Sequence, residues 1–433
     1  MKITKLSNIY MLKKSNEDNF VLLANYLFIA YAFLLPINSN AVRFIFSIII
    51  ILFLLSGNIK EKLFFSLKNK VVISFILFYL LYVFWIIGST NIDVAISQLK
   101  NYRYILYIVI YVAIIRKDFI YKILTGFLLG IFFSEIISYL MLFDIKVPYL
   151  VYRGIGANVP FMPSYTQYST VLSISMGILL YGIIMTKQSL WLKLLSVVFF
   201  ISASSNIFII QSKLGYALYS VSILTVVTLI IFKYKKYWLL PLSIILIFTG
   251  YYIAYNTSDI FNKRVNGFFN ESKSAVESKN YHTATGARVG FNVYGYQIIK
   301  ENFLYGVGTS DHTLEFFEYV KVHEKNQDNI NTFSKLLREG DGGSLHSDFL
   351  DTTMQFGIIG LLVFLNIFYQ LFKYPTEEYS MKVVQIIFIV ILLFVSSVSL
   401  IFLHSSIGKI FTLLSALSLK LYYSEDKIRV NKL

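Results

Sequence analysis

The 433-residue chain has no cysteine, and only 15% of its residues are charged. Without cysteine there is no disulfide, no thiolate nucleophile and no cysteine-based metal site. A soluble domain carries about 25% charged residues, so this chain cannot cover its own surface with polar groups. Acids are scarcer than bases: 24 Asp and Glu stand against 39 Lys and Arg, a formal net charge of +15. The sequence shows no nucleotide motif, so any energy source is the substrate or a gradient. It also shows no internal repeat, which gives inverted-repeat transporter folds no support.

What is present is apolar. Hydrophobic residues make up 56% and aromatic ones 17%, and the mean hydropathy is +0.64. Runs such as Ser47–Leu55 and Val71–Ile87 recur, with the length or clustering of bilayer spans. This excludes a soluble enzyme, a disulfide-stapled secreted domain and a disordered chain. Solid apolar runs also exclude a transmembrane barrel, whose strands alternate apolar and polar. The sequence predicts an all-α, polytopic membrane bundle. Its hydrophobic segments predict about twelve helices, near 20–38, 41–57, 71–88, 101–115, 118–143, 165–186, 190–210, 213–232, 237–255, 347–372, 382–402 and 405–423. Met1–Asn19 is polar and basic, and the span after it is too long for a cleavable signal, so it is expected to be retained.

In a soluble chain the net charge would suggest nucleic acid; here it reports topology. With the N-terminus in the cytoplasm, the inner segments carry 22 Lys and Arg, and the short outer segments carry seven. Both termini are therefore expected in the cytoplasm. The seven are Arg43, Lys100, Arg103, Lys146, Arg153, Lys213 and Lys409. Three units follow: helices 1–9 within 1–255, a large periplasmic loop at 256–346, and helices 10–12 with a cytoplasmic tail over 347–433. A second outer segment, Asp144–Ser164 with Pro148, Pro160 and Pro163, reads as a loop or cap. In the large loop, Ala287–Asn302 reads as an amphipathic helix with Phe291, Tyr294 and Ile298 on one stripe. A Gly306–Gly308 turn and a second helix near Thr313–Val322 come next, then the glycine-rich stretch Gly340–Gly343.

Charges at the membrane edge are costly and are functional candidates by default. Lys213 stands in a tight outer turn, Gln211-Ser-Lys-Leu-Gly215, as an anion ligand or as a snorkelling lysine. Arg288 on the first loop helix is either a ligand cation or an ordinary surface arginine. His346, where the loop meets the tenth span, either caps that helix or exchanges a proton with a reacting hydroxyl. Asp348 and Asp351 suit a helix N-terminus, and Asp348 could alternatively orient His346. Arg43, Lys100 and Arg103 could help to hold a phosphate. Glu135, deep in the fifth span, needs a partner in the bundle. His282, His312 and His323 lack metal-ligand spacing. Gly306–Thr309 is similar to an anion-binding turn, although acids follow it.

These segments resemble the O-antigen ligase and polymerase superfamily. Gln211–Gly215 is similar to that family's Ser-Arg-Gly-like turn, with lysine in place of arginine. Arg288 followed by Asn302-Phe-Leu-Tyr-Gly306-Val-Gly308 resembles its arginine helix and Pro-x-x-Gly-x-Gly turn, without the proline. His346-Ser-Asp-Phe-Leu350 and Phe356-Gly-Ile-Ile-Gly-Leu361 resemble its His-Asn-x-x-Leu…Gly-x-x-Gly run. The resemblance covers residues 200–372 in motif detail and the whole chain in span layout. It implies an inner-membrane glycosyltransferase that moves a glycan from undecaprenyl diphosphate to a sugar hydroxyl, with no nucleotide, metal or other cofactor. His346 would activate the hydroxyl, Arg288 would stabilise the leaving diphosphate, and Lys213, Arg43, Arg103 and Lys100 would help to bind it. The layout favours a ligase acting on lipid A–core at the periplasmic face. A polymerase joining lipid-linked repeats is the nearest alternative, a protein-glycan ligase is a third branch, and a lipid or polysaccharide transporter is a different class.

Overall fold

The computed structural model describes residues 2–145, 159–162, 164–338, 343–376 and 378–420, without the side chains of 2–16 and 420. Most of the expected loop 144–164, including Lys146, Pro148, Arg153 and Pro163, lies outside the described residues. So do 340–342 and the tail from 421. Among the described residues every regular element is helical. The first are α1 (Lys2–Leu34), α2 (Ser39–Leu55), α3 (Ile59–Leu67), α4 (Lys70–Phe84), α5 (Ile92–Tyr102), α6 (Tyr107–Ile114) and α7 (Ile120–Leu142). There follow α8 (Tyr165–Met185), α9 (Leu190–Ile209), α10 (Lys213–Tyr234) and α11 (Leu239–Thr257). Four helices come next, α12 (Asp259–Glu277), α13 (Ala284–Glu301), α14 (His312–His323) and α15 (Gln327–Leu337). The chain closes with α16 (Asp348–Lys373), α17 (Tyr379–Val398) and α18 (Ser405–Lys420).

Eight of the described helices are long and apolar enough to cross a membrane: Lys70–Gly88, Lys117–Leu142, α8, α9, α10, α11, α16 and α17. The pair α2 and α3, bent by 114°, makes nine if it counts as one span. Among the described residues, length and composition thus support eight or nine spans and do not bear out all of the expected twelve. The expected helix 101–115 breaks into a 3₁₀ turn at Arg103–Leu106 and the eight-residue α6. Eight residues rise only about 12 Å, less than half a bilayer core. The segment expected at 405–423 is the shorter apolar α18, and that at 20–38 is the last part of the long α1, which begins in polar sequence.

Two apolar cores result. The larger runs through the bundle from Ala24 and Phe28 to Leu417 and Leu419. The smaller joins α12–α15 through Phe291, Phe316 and Phe333, and it continues into Leu350 and Met354 on the first turns of α16. The stripe read from the sequence is the inner face of α13, where Phe291 and Ile298 are buried and Tyr294 packs at the edge. Helices α12–α15 therefore form a four-helix cap seated on α16.

A glycine seam fixes that seat. Gly357 interrupts α16 at φ 64° and ψ −159°, a region open essentially to glycine alone. The Gly306–Gly308 turn fills the kink: Val307 N–H donates to Met354 O at 2.9 Å, Gly308 N–H to Gln355 O at 3.0 Å, and Ile358 N–H to Phe303 O at 2.8 Å. The same turn docks on the end of α4, where Trp85 Nε1 donates to Tyr305 O at 2.7 Å and Ser89 Oγ to Thr309 O at 2.9 Å. These amides are used within the chain, so the turn is a joint and not the anion-binding loop its glycines suggested.

Candidate functional site

α10 opens with Ser212, whose Oγ accepts from Gly215 N–H at 3.0 Å and shares a 2.8 Å hydrogen bond with Ser169 Oγ. A Cβ at Gly215 would come within 2.7 Å of the Ser169 side chain, so glycine lets α8 and α10 approach. The turn aims Lys213 at the cap. Its Nζ donates to Glu271 Oε2 and to Thr285 Oγ1, each at 2.9 Å. Lys213, read from the sequence as an anion ligand or a snorkelling lysine, is thus ion-paired with Glu271. The carboxylate of Glu271 also accepts from Thr285 N–H at 3.0 Å. Burial pushes this carboxyl up, but the hydrogen bonds from Thr285 and Lys213 outweigh it and hold it below the usual range.

Arg288 lies one turn beyond Thr285 on α13. Its guanidinium donates to Ala284 O at 3.0 Å. Burial depresses it from its ordinary value, while Tyr165 and Glu271 favour its charge; an arginine remains charged throughout. Phe291, one turn further on, has its ring centre 6.0 Å from that of His346. α13 therefore presents Arg288 and Phe291 toward His346.

His346 holds a left-handed φ of 58°. The helix cap is its neighbour Ser347, whose Oγ accepts from Leu350 N–H at 3.3 Å, so the capping role is filled without the histidine. Among the described residues no hydrogen bond involves the His346 ring. Burial lowers its pKa, the Arg288 charge lowers it further, and Asp351 opposes them. The imidazole is therefore neutral at neutral pH and able to accept a proton.

His346 borders a cavity of about 560 Å³, whose walls include Asp93, Gln98, Asn101, His312, Arg338, Ser344 and His404. Arg288 lies outside that lining. His404, in the turn before α18, is pushed down to about 4 by burial and then by His346. His312 was considered only as a metal ligand and was otherwise missed. It is almost fully buried, neither ring nitrogen has a hydrogen-bond partner among the described residues, and Nε2 lies 3.7 Å from Asp351 Oδ2. No local pattern marks it, since its neighbours in the cavity come from α5, the cap and the turn before α18. His323 instead stacks on Tyr319, and His282 is exposed. The described residues hold no cluster of three or more His, Asp or Glu arranged for a metal.

The two acids of α16 do different work from that expected. Asp348 Oδ2 accepts from Ser396 Oγ at 3.1 Å and from Ile401 N–H at 2.7 Å. It ties α16 to the turn between α17 and α18 and does not orient His346. Asp351 Oδ1 accepts from Leu345 N–H at 2.9 Å, which fixes the backbone just before the histidine. Arg43, Lys100 and Arg103 are exposed. Arg43 bonds to its own helix, at Asn40 Oδ1 (2.6 Å), and its charge and that of Arg103 act on Lys409. Glu135 is buried on α7 against Ser202 of α9, away from the other candidates, with no hydrogen bond of good geometry to either oxygen.

Fold and site together define a polytopic helical membrane protein in which an arginine charge acts on a histidine where a helical cap meets a kinked span. Residues 197–365 match the family model described as O-antigen ligase. That segment contains Lys213, Arg288, His346 and the glycine seam, so the resemblance to the O-antigen ligase and polymerase superfamily is borne out over it. The match supports glycosyltransferase-like chemistry of the ligase or polymerase type, on lipid-linked glycan substrates. No curated protein matches the chain.

Proposed function

We propose that the protein is an O-antigen ligase, which transfers a glycan from undecaprenyl diphosphate to a sugar hydroxyl of lipid A–core. The observation that carries this reading is the position of His346, within reach of the Arg288 charge and bordering a cavity that Arg288 does not line. The acceptor sugar sits in the cavity, and its hydroxyl gives its proton to the neutral imidazole. The hydroxyl oxygen then forms a bond to the anomeric carbon as the bond to the diphosphate oxygen breaks. The electron pair leaves on the diphosphate, whose growing charge Arg288 stabilises through paired N–H donors. A single displacement inverts the anomeric centre. Lys213 acts one step back, because its bond to Glu271 keeps that carboxylate from capturing Arg288.

The bundle lies in the inner membrane with both termini cytoplasmic. The cap of residues 256–346 is periplasmic, between helices of 1–255 and those of 347–433. The charge distribution supports this orientation. Neither nucleotide nor metal takes part. The test is purified protein in detergent with a lipid-diphosphate-linked glycan, lipid A–core, EDTA and no nucleotide. Glycan on lipid A–core is the expected product. Lengthened lipid-linked repeats in place of that product would assign the polymerase reaction, and neither product from folded protein and matched substrates would reject both.

A further inference from the structure

The cations near α18 form a site of their own. Ser39 Oγ on α2 lies 3.4 Å from Ser406 Oγ on α18, which sets the starts of these helices side by side. On the neighbouring face, a Cβ at Gly408 would fall 2.1 Å from the Tyr104 ring, so glycine lets α18 lie directly on the Arg103–Leu106 turn. Lys409 stands between these two contacts. It is 5% exposed, and Arg43 and Arg103 are the charged groups that act on it. Among the described residues its ammonium has no hydrogen-bond or ion-pair partner. Among the described residues, the Arg43 guanidinium bonds only to neutral oxygens, Ser39 O and Asn40 Oδ1.

Three cations offer donors and no acceptor, and a buried charge persists only with compensation. We propose that Arg43, Arg103 and Lys409 form a second anion site, separate from Arg288 and His346, that takes a phosphate group. A lipid headgroup and free phosphate share that chemistry. The planar forks of the arginines grip phosphate oxygens from the exposed side, and Lys409 supplies a point charge from within. The site stands on its own neighbours and does not depend on the transferase reading.

The test uses the delipidated full chain in detergent. Bound ligand is counted by native mass spectrometry and melting is followed with dioleoyl phosphatidylglycerol, dioleoylglycerol or inorganic phosphate. Wild type should retain the phospholipid at least ~10-fold better than dioleoylglycerol, and the exposed pair Arg43→Gln/Arg103→Gln should lose that preference, since each charged hydrogen bond removed is worth about tenfold. Lys409→Met should melt at or above the wild-type temperature without ligand and lose the rise that phospholipid gives. If inorganic phosphate alone gives the rise and displaces the lipid, the site holds and its ligand is free phosphate. Equal retention of dioleoylglycerol, undiminished binding by the double variant, or no binding of either phosphate source would overturn the proposal.

Discussion

Gly306 and Gly357 lie on opposite sides of one seam, each pressed against the backbone beside the other. A Cβ at Gly306 would lie 2.4 Å from the Gln355 carbonyl carbon, and one at Gly357 would lie 2.3 Å from Leu304 O. Both hold positive φ, 69° and 64°. The seam fixes the cap to the kinked span, and so sets α13, with Arg288, against the α16 start that carries His346.

Gly357→Ala should therefore cost about 2–4 kcal/mol, from the backbone conformation and the clash together. Thermal melting in detergent measures this. The variant that still folds should lose transfer activity as well, because the cap is displaced. A variant that melts and works like wild type would show that the seam does not position the site.

The pH dependence follows from His346. Its pKa is lowered by burial and by Arg288, so it stays a free base below its ordinary value of about 6.5. The acid limb of the rate profile should lie below that value. Removing the neighbouring charge with Arg288→Gln should raise the histidine pKa and move the limb to higher pH, in addition to lowering the rate. A limb that stays in place in Arg288→Gln would mean that the two groups do not interact.

Lys213→Met leaves Glu271 half-buried and unpaired near Arg288. The loss should be about 1–3 kcal/mol of stability, with a fall in rate as Glu271 competes for the guanidinium. Lys213→Met/Glu271→Gln should recover much of that rate. A double variant as slow as the single one would instead place Lys213 directly on the substrate.

Asp348 separates structure from chemistry. Asp348→Ala strands Ile401 N–H and Ser396 Oγ–H and should lower stability by about 1–3 kcal/mol for each buried donor. The acid limb of the folded fraction should not move, because among the described residues the Asp348 carboxylate bonds to Ser396 and Ile401 and not to the His346 ring. A shifted limb would restore an orienting role for this acid.

Much of the fold and part of the site could be read from the sequence. The apolar runs predicted a helical membrane bundle because span length is set by the bilayer, and the Phe291–Ile298 stripe predicted α13 because the cap has its own core. Arg288 on the loop helix and His346 at the entry to α16 were legible as candidates from their positions beside the membrane edge. Short helices such as α6 were not, since the break at Arg103–Leu106 depends on packing against α18. The pairing of Lys213 with Glu271 was hidden for a similar reason: the partners are 58 residues apart and the expected loop contained no α12. His312 reaches the cavity only because α14 folds back on α16, and Lys409 meets Arg43 and Arg103 only through the close contact at Gly408.

The most direct test of the central claim is single-turnover glycan transfer by His346→Asn, because asparagine tolerates the left-handed backbone that His346 adopts. With folding and donor binding unchanged, the rate should fall by about 10²-fold or more, the contribution of a general base. Transfer at the wild-type rate would contradict the account, since the acceptor hydroxyl would then lose its proton to another group.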